Sequence, residues 1–432
     1  MPGRKVVAGL DIGTTRVSEV IAVVGPDWGV EMVAAGVAPC QGLRRGVVAD
    51  IEAVAEAIKT ANKRACHMAG FDVRSVFVGV PAVHTIRRDT RGVAAVSGGD
   101  GTITVEDMRR ALEAAKVLAI PPDRAIISVL PREYIVDGVG GIRNPEGMAG
   151  VRLEVDAAVI MGQAASLVNL QAGVERAGLA VTGWILEPVA AAYAVLEAEE
   201  RERGVILVDV GGQITQIAAF YEGAPVLLSW VPAGGMHITN DIAIGMKVPL
   251  EQAERVKREL GLSRERHETR ARTLTREAGF GQRDAHEQRR PSGRQPQGPQ
   301  RLPADEDGFL DRIVEARLRE ILELVEVETR QVRAKGLAPC GVVFTGGGSL
   351  VPGILDLAGE ILDAPARTGA PFEMKWRGGR EPEEVSAVAL GIAAQIANDS
   401  ACGLLGETMR SPIRDLLAGV RGWFSDFIKD FF

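Results

Sequence analysis

Gly204-Val-Ile-Leu-Val-Asp-Val-Gly-Gly-Gln-Ile-Thr-Gln-Ile-Ala-Ala-Phe220 is an apolar run, a sharp Asp-x-Gly-Gly turn and a second apolar run. Val205 to Val208 reads as a buried strand, because β-branched and apolar residues continue to an abrupt break at Asp209. Gly211 and Gly212 let the backbone approach a ligand closely, with amide N–H groups free to point at phosphate oxygens. A carboxylate beside such a cradle repels a bare phosphate. The pairing makes sense when a divalent cation or its water shell lies between them. The stretch predicts half of a metal–nucleotide site.

The other half lies near the N-terminus, in Val6-Val-Ala-Gly-Leu-Asp-Ile-Gly-Thr-Thr-Arg-Val-Ser-Glu-Val-Ile21. Aligning Asp11 with Asp209, 198 positions further on (209 minus 11), superimposes strand, Asp-x-Gly turn and second strand. Such an internal repeat predicts two similar halves with a ligand clamped between them. A third loop joins them: Gly341-Val-Val-Phe-Thr-Gly-Gly-Gly-Ser-Leu-Val-Pro-Gly-Ile-Leu355 reads as strand, triple-glycine turn and helix start. Residues without Cβ let backbone lie flat against a purine and its ribose. Neither a G-x-x-x-x-G-K-[ST] loop nor a G-x-G-x-x-G fingerprint occurs, which disfavours P-loop and dinucleotide folds.

With 432 residues the chain is long enough for two or more cored domains, and 46% hydrophobic with 25% charged residues is ordinary for a globular protein. A net charge of -7 gives no general attraction for nucleic acid. Cys40, Cys66, Cys340 and Cys402 have no C-x-x-C spacing, which argues against zinc and a disulfide framework and for a reducing compartment. Arg4 and Lys5 precede an apolar run that Asp11 cuts too early for a signal-peptide core. The most apolar window, Ala157 to Val174, is broken by Gln163, Ser166, Asn169 and Gln171 and reads as strand then helix, not a membrane span.

Taken in order, Asp50 caps an amphipathic helix with Ile51, Val54, Ala55 and Ile58 on one face. Val76 to Val80 is a strand closed by Pro81. From Val83 to Met161 the pattern changes: a turn-rich stretch from Gly92 to Gly101, a capped helix from Thr104, short strands at Ala125 to Leu130 and Glu133 to Val136, a loop from Gly138 to Gly150, and a strand from Val151 to Ile160. This predicts a compact α+β subdomain inserted into the first half. A helix from Gln163 to Gly178 and a strand from Ala180 to Leu186 lead to Glu187-Pro-Val-Ala-Ala-Ala-Tyr193, where Glu187 is either a cleft residue or a helix-start acid. Gly234 and Gly235 form a glycine turn into another helix, and His237 reads as a helix-start residue, with no ligand partner at metal spacing. On the next helix Glu254 and Lys257 share a face, suited either to ribose hydroxyls or to a solvated ion pair. Ser263 to Asp307 loses periodicity, becomes rich in Arg, Gln, Gly and Pro, and reads as a disordered loop. Gly308 to Arg333 reads as a long helix with an apolar stripe of Leu310, Ile313, Val314, Leu318, Ile321, Leu322 and Val325.

The two Asp-x-Gly hairpins, the connecting Glu-Pro-Val-Ala-Ala-Ala and Thr345-Gly-Gly-Gly-Ser349, in this order, resemble the actin, Hsp70 and sugar kinase superfamily. Gly46-Val-Val-Ala-Asp-Ile51, Ile142-Arg-Asn-Pro-Glu-Gly-Met-Ala-Gly-Val-Arg-Leu153 and Ala233-Gly-Gly-Met-His-Ile-Thr-Asn-Asp-Ile-Ala243 narrow the likeness to the FtsA family of bacterial cell-division proteins. That resemblance implies an α/β, actin-like two-domain ATPase fold. Subdomain 1A would comprise residues 1–82, 162–190 and 379–398, with the inserted, SHS2-type subdomain 1C at 83–161 contributing to self-assembly. Subdomain 2A would comprise 191–245 and 326–378, and subdomain 2B, carrying the loop 263–307, would span 246–325 and dock the C-terminal tail of the tubulin-like FtsZ. The resemblance further implies ATP and Mg2+ as cofactors, with Asp11 and Asp209 on the metal's water shell and Gly13, Thr14, Thr15 and Arg16 of the first turn, with Gly211, Gly212 and Gln213 of the second, around the phosphates. Gly346, Gly347, Gly348 and Ser349, with Glu254 and Lys257, would hold the nucleoside, Gly234 and Gly235 would also line the cofactor site, and Glu187 would polarise the attacking water. The family hairpin usually reads Asp-x-Gly-x-Gly-Thr-Thr-Asp, but Gln213, Ile214 and Gln216 replace its glycine, threonine and acid, and Arg16 stands where lysine is common. ATP turnover is therefore expected to be slow or absent.

The chain end adds a separate signal. Ile413, Leu416, Leu417, Val420, Trp423, Phe424, Phe427, Ile428 and Phe431 fall on one helical face, after a linker at 399–412, and predict an amphipathic helix at 413–432 that lies in a membrane surface. Arg414, Arg421 and Lys429 are balanced by Asp415, Asp426 and Asp430, so its binding rests on apolar burial. The expected partners are FtsZ, further copies of this chain, other division proteins and the cytoplasmic face of the inner membrane at the septum. A chaperone needs a substrate domain after the third loop, a sugar kinase has no use for the tail, and the related pilus-assembly protein is the nearest rival.

Overall fold

The computed structural model describes residues 5–25, 30–83, 85–117, 120–262, 308–372, 374–377 and 384–402. The loop expected at 263–307 and the tail helix expected at 413–432 lie outside the described residues. The first lobe opens with an antiparallel meander, β1 (Lys5–Ile12), β2 (Arg16–Val24) and β3 (Val30–Pro39), followed by the two-residue strands β4 (Leu43–Arg44) and β5 (Val47–Val48). Helix α1 (Ile51–Ala69) then leads to β6 (Ser75–Val80). As its sequence predicts, α1 starts where the Asp50 carboxylate accepts from the Ala53 N–H at 3.0 Å, and it buries Val54, Ala55 and Ile58.

The inserted subdomain contains β7 (Ile86–Ala95), α2 (Val105–Ala115), β8 (Arg124–Val136), β9 (Val139–Ile142) and β10 (Arg152–Gln163), with sheet order β7-β10-β8-β9. Three expectations change here. The stretch running into the expected turns at Gly92 is an edge strand, β7, whose charged residues conceal it. Arg91 pairs with Asp156 across to β10 at 2.6 and 2.9 Å, and a Cβ on Gly92 would stand 2.0 Å from the Ala111 carbonyl of α2. The two short strands expected at 125–130 and 133–136 are one strand, because a bulge at Arg132, next to Pro131, absorbs the break. The expected loop at 138–150 contains β9.

Helix α3 (Ala164–Arg176) and β11 (Ala180–Leu186) complete the first sheet, in the order β11-β6-β1-β2-β3. Helices α4 (Glu187–Val195) and α5 (Ala198–Arg203) cross to the second lobe, whose meander is β12 (Val205–Val210), β13 (Thr215–Tyr221) and β14 (Ala224–Val231). Then come α6 (Gly235–Met246), α7 (Leu250–Glu259), the long α8 (Phe309–Ala334), β15 (Val342–Thr345), a 3-10 turn at Gly347–Leu350, α9 (Ile354–Leu362) and β16 (Ala366–Thr368). The second sheet has the order β14-β13-β12-β15-β16, the same plan as the first. The repeat extends to single bonds: Asp11 pairs with Ser18 and Asp209 with Gln216, and the turns close from the Gly13 N–H to the Arg16 carbonyl at 2.9 Å and from the Gly211 N–H to the Ile214 carbonyl at 3.0 Å.

Both faces of each sheet are covered, which is why the strands read as continuous apolar runs. On β2, Val17, Ile21 and Val23 join the core beneath α1 and α3, while Val20, Ala22 and Val24 join the core beneath α10 (Ala387–Cys402). Helix α10 runs to Cys402, so Asp399 to Cys402 are helical and not part of the expected linker. Helices α4 and α10 pack between the lobes, in a core that combines Val7, Phe77 and Ile185 with Val205, Leu207, Ala218 and Val343. Small residues set their separation. A Cβ on Gly391 would stand 1.8 Å from the Ala190 carbonyl. Gly391→Ala is therefore expected to destabilise the protein by about 1–3 kcal/mol in urea unfolding, as overpacking does. Gly359→Ala in α9, where nothing lies within 4 Å of the new methyl, should be neutral or stabilising.

Candidate functional site

Three acids meet between the lobes. Asp11 stands near the end of β1, Asp209 near the end of β12, and Glu187 is the first residue of α4, which Pro188 starts directly from β11. Their exposures are 8%, 8% and 6%, values rare for carboxylates that lack a cation partner. Burial pushes the Asp209 carboxyl up to about 7, with the Asp11 charge adding to the effect and Arg16 opposing it. Burial also raises Asp11, against a hydrogen bond from Ser386 and the charge of Arg16. Glu187 is raised well above its ordinary value by burial and by Asp11, with the Gln216 amide opposing. Glu187 Oε1 is buried and has no hydrogen-bond partner.

The two predicted phosphate turns face each other directly. A Cβ on Gly212 would lie 2.7 Å from Thr14 Oγ1 and 2.8 Å from Thr15 Cγ2. The third loop closes the same space: Gly346 has φ +83°, a Cβ on it would lie 2.2 Å from Asp209 Oδ1, and one on Gly347 would lie 3.2 Å from Arg16 Nη2. The Ser349 hydroxyl donates to the Gly346 carbonyl at 2.7 Å and so fixes the turn. At the start of α6, the Gly235 and Met236 amides donate to the Gly211 and Gly212 carbonyls at 2.9 and 2.7 Å, while a Cβ on Gly234 would stand 2.5 Å from the Gly211 oxygen. His237 Nδ1 accepts from the Gly234 N–H at 3.1 Å, the helix-start role its sequence context predicts.

The Glu254–Lys257 pair is not a solvated ion pair. Only 7% of the Lys257 side chain is exposed, and its ammonium donates to Glu254 Oε2 at 2.7 Å, Thr239 Oγ1 at 3.0 Å and the Gly235 carbonyl at 3.2 Å. It lies beside Gly348, since a Cβ on Gly235 would approach Gly348 Cα at 3.3 Å and Lys257 Nζ at 3.5 Å. The Gln213 side chain turns away from this cradle and accepts from the Arg45 N–H at 2.7 Å.

Four residues not singled out as site residues also belong to this region. Ser386 stands beside Asp11 and opposes its rise, Thr239 bonds Lys257, Gln216 bonds Glu187, and Glu384 lies between Arg16 at 4.0 Å and Arg258 at 3.6 Å. No motif marks Ser386, Thr239 or Glu384; Gln216 was visible only as a departure from the hairpin pattern. Among the described residues no group of three His, Cys, Asp or Glu side chains could hold a metal directly. The mutually repelling, desolvated Asp11 and Asp209 beside two amide-lined turns fit a hydrated divalent cation that carries phosphates.

Residues 206–389 match the family model described as "Cell division protein FtsA", and residues 83–161 match "SHS2 domain inserted in FTSA". The cell division protein FtsA of Bacillus subtilis (strain 168) is 36% identical over 392 residues, covering 90% of this chain and 83% of its own length. The chain belongs to the FtsA family of cell-division proteins. The FtsA of Borreliella burgdorferi (strain ATCC 35210) is 33% identical and covers 99% of this chain and 100% of its own. Among solved structures, the PilM-PilN type IV pilus biogenesis complex contains a chain with the same actin-like fold. Its TM-score is 0.59 at 20% identity, covering 90% of this chain and 98% of that one. At that identity the pilus protein shares the fold alone.

A carboxyl raised by folding holds its proton more tightly in the folded state. The resulting stability is present below the ordinary value of 3.8 and is lost as pH rises through about 7. In EDTA, thermal stability of the full chain should fall over that window. Asp209→Asn should flatten the fall and raise the melting temperature above about pH 7; an unchanged pH profile would count against a charge held under strain in the cleft.

Proposed function

We propose that this FtsA-family chain is an ATP-binding switch that assembles on the cytoplasmic face of the inner membrane and tethers FtsZ filaments there. The observation that carries the reading is the meeting of Asp11, Asp209 and Glu187 between two apposed glycine turns, a buried excess of negative charge that needs a cation. The Mg2+ ion carried by ATP would supply the opposite charge next to the carboxylates, with the phosphates turned toward the amides. Asp11 and Asp209 would hold water on the metal, and the amides of Thr14 and Thr15 and of Gly212 and Gln213, with Arg16, would bind phosphate oxygens, while the Gly13 and Gly211 amides close the two turns. Gly346 to Ser349 give the nucleoside a flat wall, and Gly234 and Gly235 bring the start of α6 against the second turn. Lys257, fixed by Thr239 and Glu254, stands beside that wall.

Turnover is slow or absent. Glu187 is the residue placed to take a proton from water, yet its Oε2 already accepts from Gln216 at 2.6 Å, and burial favours its protonated form. Asp11, Asp209 and Glu187 thus serve binding more than bond cleavage. The apolar face from Ile413 to Phe431 supplies the membrane contact, reversible for one chain and strengthened when many tails act together on a polymer. The segment 246–325 receives the C-terminal tail of FtsZ. Among the described residues no helix is long and apolar enough to cross a membrane.

Co-sedimentation with lipid vesicles tests this. The full chain with Mg2+ and ATP should carry labelled FtsZ into the pellet. A chain ending at Arg410 should leave FtsZ in the supernatant while binding ATP with unchanged affinity. Pelleting of FtsZ by both chains, or by neither, would contradict the tether.

A further inference from the structure

The three positions at which the second hairpin departs from its family pattern, Gln213, Ile214 and Gln216, all reach across to the first lobe, and they arrive at one place. Gln213 Oε1 accepts from the Arg45 N–H at 2.7 Å. Ile214, 6% exposed, fills the space beside Gly46. Gly46 has φ +75°, and a Cβ on it would meet Ile214 Cδ1 at 3.1 Å, Val83 Cγ2 at 3.1 Å and Pro81 Cβ at 3.5 Å. Gln216 is buried and uses both ends of its amide. Its Oε1 accepts from the Ala82 N–H at 2.7 Å, which leaves Nε2 to donate to Glu187 Oε2 at 2.6 Å.

Ala82 is the joint between the first sheet and the inserted subdomain. Its carbonyl accepts from the Thr85 N–H at 3.2 Å and from the Thr85 hydroxyl at 2.8 Å, the turn that leads into β7. The same subdomain touches the second lobe twice more, through Arg87 to the Pro225 carbonyl at 2.9 Å and Arg143 to Glu202 at 3.0 Å. Glycine, threonine and an acid could not build this arrangement. Glycine has no side chain to reach Arg45, threonine is too short to bridge Gly46 and Val83, and an ionised acid has no proton to give Glu187.

We propose that Gln213, Ile214 and Gln216 form a clasp in which Gln216 positions Glu187 and ties the nucleotide cleft to the root of the inserted subdomain, so that cleft and subdomain move as one unit. The clasp rests on the reading of the cleft as a nucleotide site for its purpose, but not for its existence. Opening or filling the cleft moves the second hairpin, and the hairpin carries Ala82 and β7 with it. A two-ended contact of this kind is cooperative, so loosening one end loosens the other.

Hydrogen–deuterium exchange of the full chain without nucleotide decides the matter. Gln213→Ala removes only the exposed end. Exchange should quicken in the peptide around Arg45 and also, by about ten-fold, in the peptide from Pro81 to Arg87, where the substituted side chain makes no bond. Gln213→Glu keeps the acceptor for the Arg45 N–H and should restore both. Gln216→Met should quicken the same two peptides from the buried end. A Gln213→Ala effect confined to the Arg45 loop overturns the proposal, as does failure of Gln213→Glu to rescue. Titration of the same proteins with Mg2+ and ATP stands apart: no binding by the unsubstituted chain would refute the nucleotide reading and leave the exchange result intact.

Discussion

Three carboxylates brought into one desolvated space repel each other, and the architecture between the lobes is what holds them there. Glu187 begins α4, Ser386 immediately precedes α10, and these two helices pack so closely at Ala190 and Gly391 that no side chain fits between them. Asp11 and Asp209 enter from the matching strands of the two lobes. The contact that joins the lobes therefore also fixes the distance between the charges. Neutralising the charges therefore relieves a repulsion held in place by the contact between the lobes.

Much of this was legible in the sequence because the repeat is local: strand, Asp-x-Gly turn and strand carry their own signal, and the structure reproduces it down to one turn hydrogen bond in each lobe. Helix starts were legible for the same reason, as at Asp50, where a carboxylate meets an amide three residues on. What the sequence hid depends on partners far along the chain. Strand β7 is polar because it is an edge whose Arg91 pairs with Asp156, and no periodicity betrays such a strand. Lys257 read either as a ribose contact or as half of a solvated ion pair, and only the fold shows Thr239 and the Gly235 carbonyl enclosing it. Gln216 looked like the loss of an acid, and only the fold brings it between Ala82 and Glu187.

Family membership and geometry divide the explanation between them. Relatives matching over most of the chain establish a cell-division protein with an SHS2 insertion, while the cleft brings together the buried carboxyls and glycine turns on which the proposed ligand site rests. The insertion is bonded to both lobes, since it joins the first at Ala82 and meets the second through Arg87 and Arg143.

Calorimetric titration of the full chain with Mg2+ and ATP near pH 7, in two buffers of different ionisation enthalpy, reads binding and proton release together. A cation arriving between Asp11 and Asp209 stabilises their ionised forms, so binding should release protons, because Asp209 titrates at about 7 in its absence. Asp209→Asn should weaken binding and reduce the release. Binding with no proton release, or with the same release in Asp209→Asn, would contradict a cleft organised around buried carboxylates and a metal-borne nucleotide.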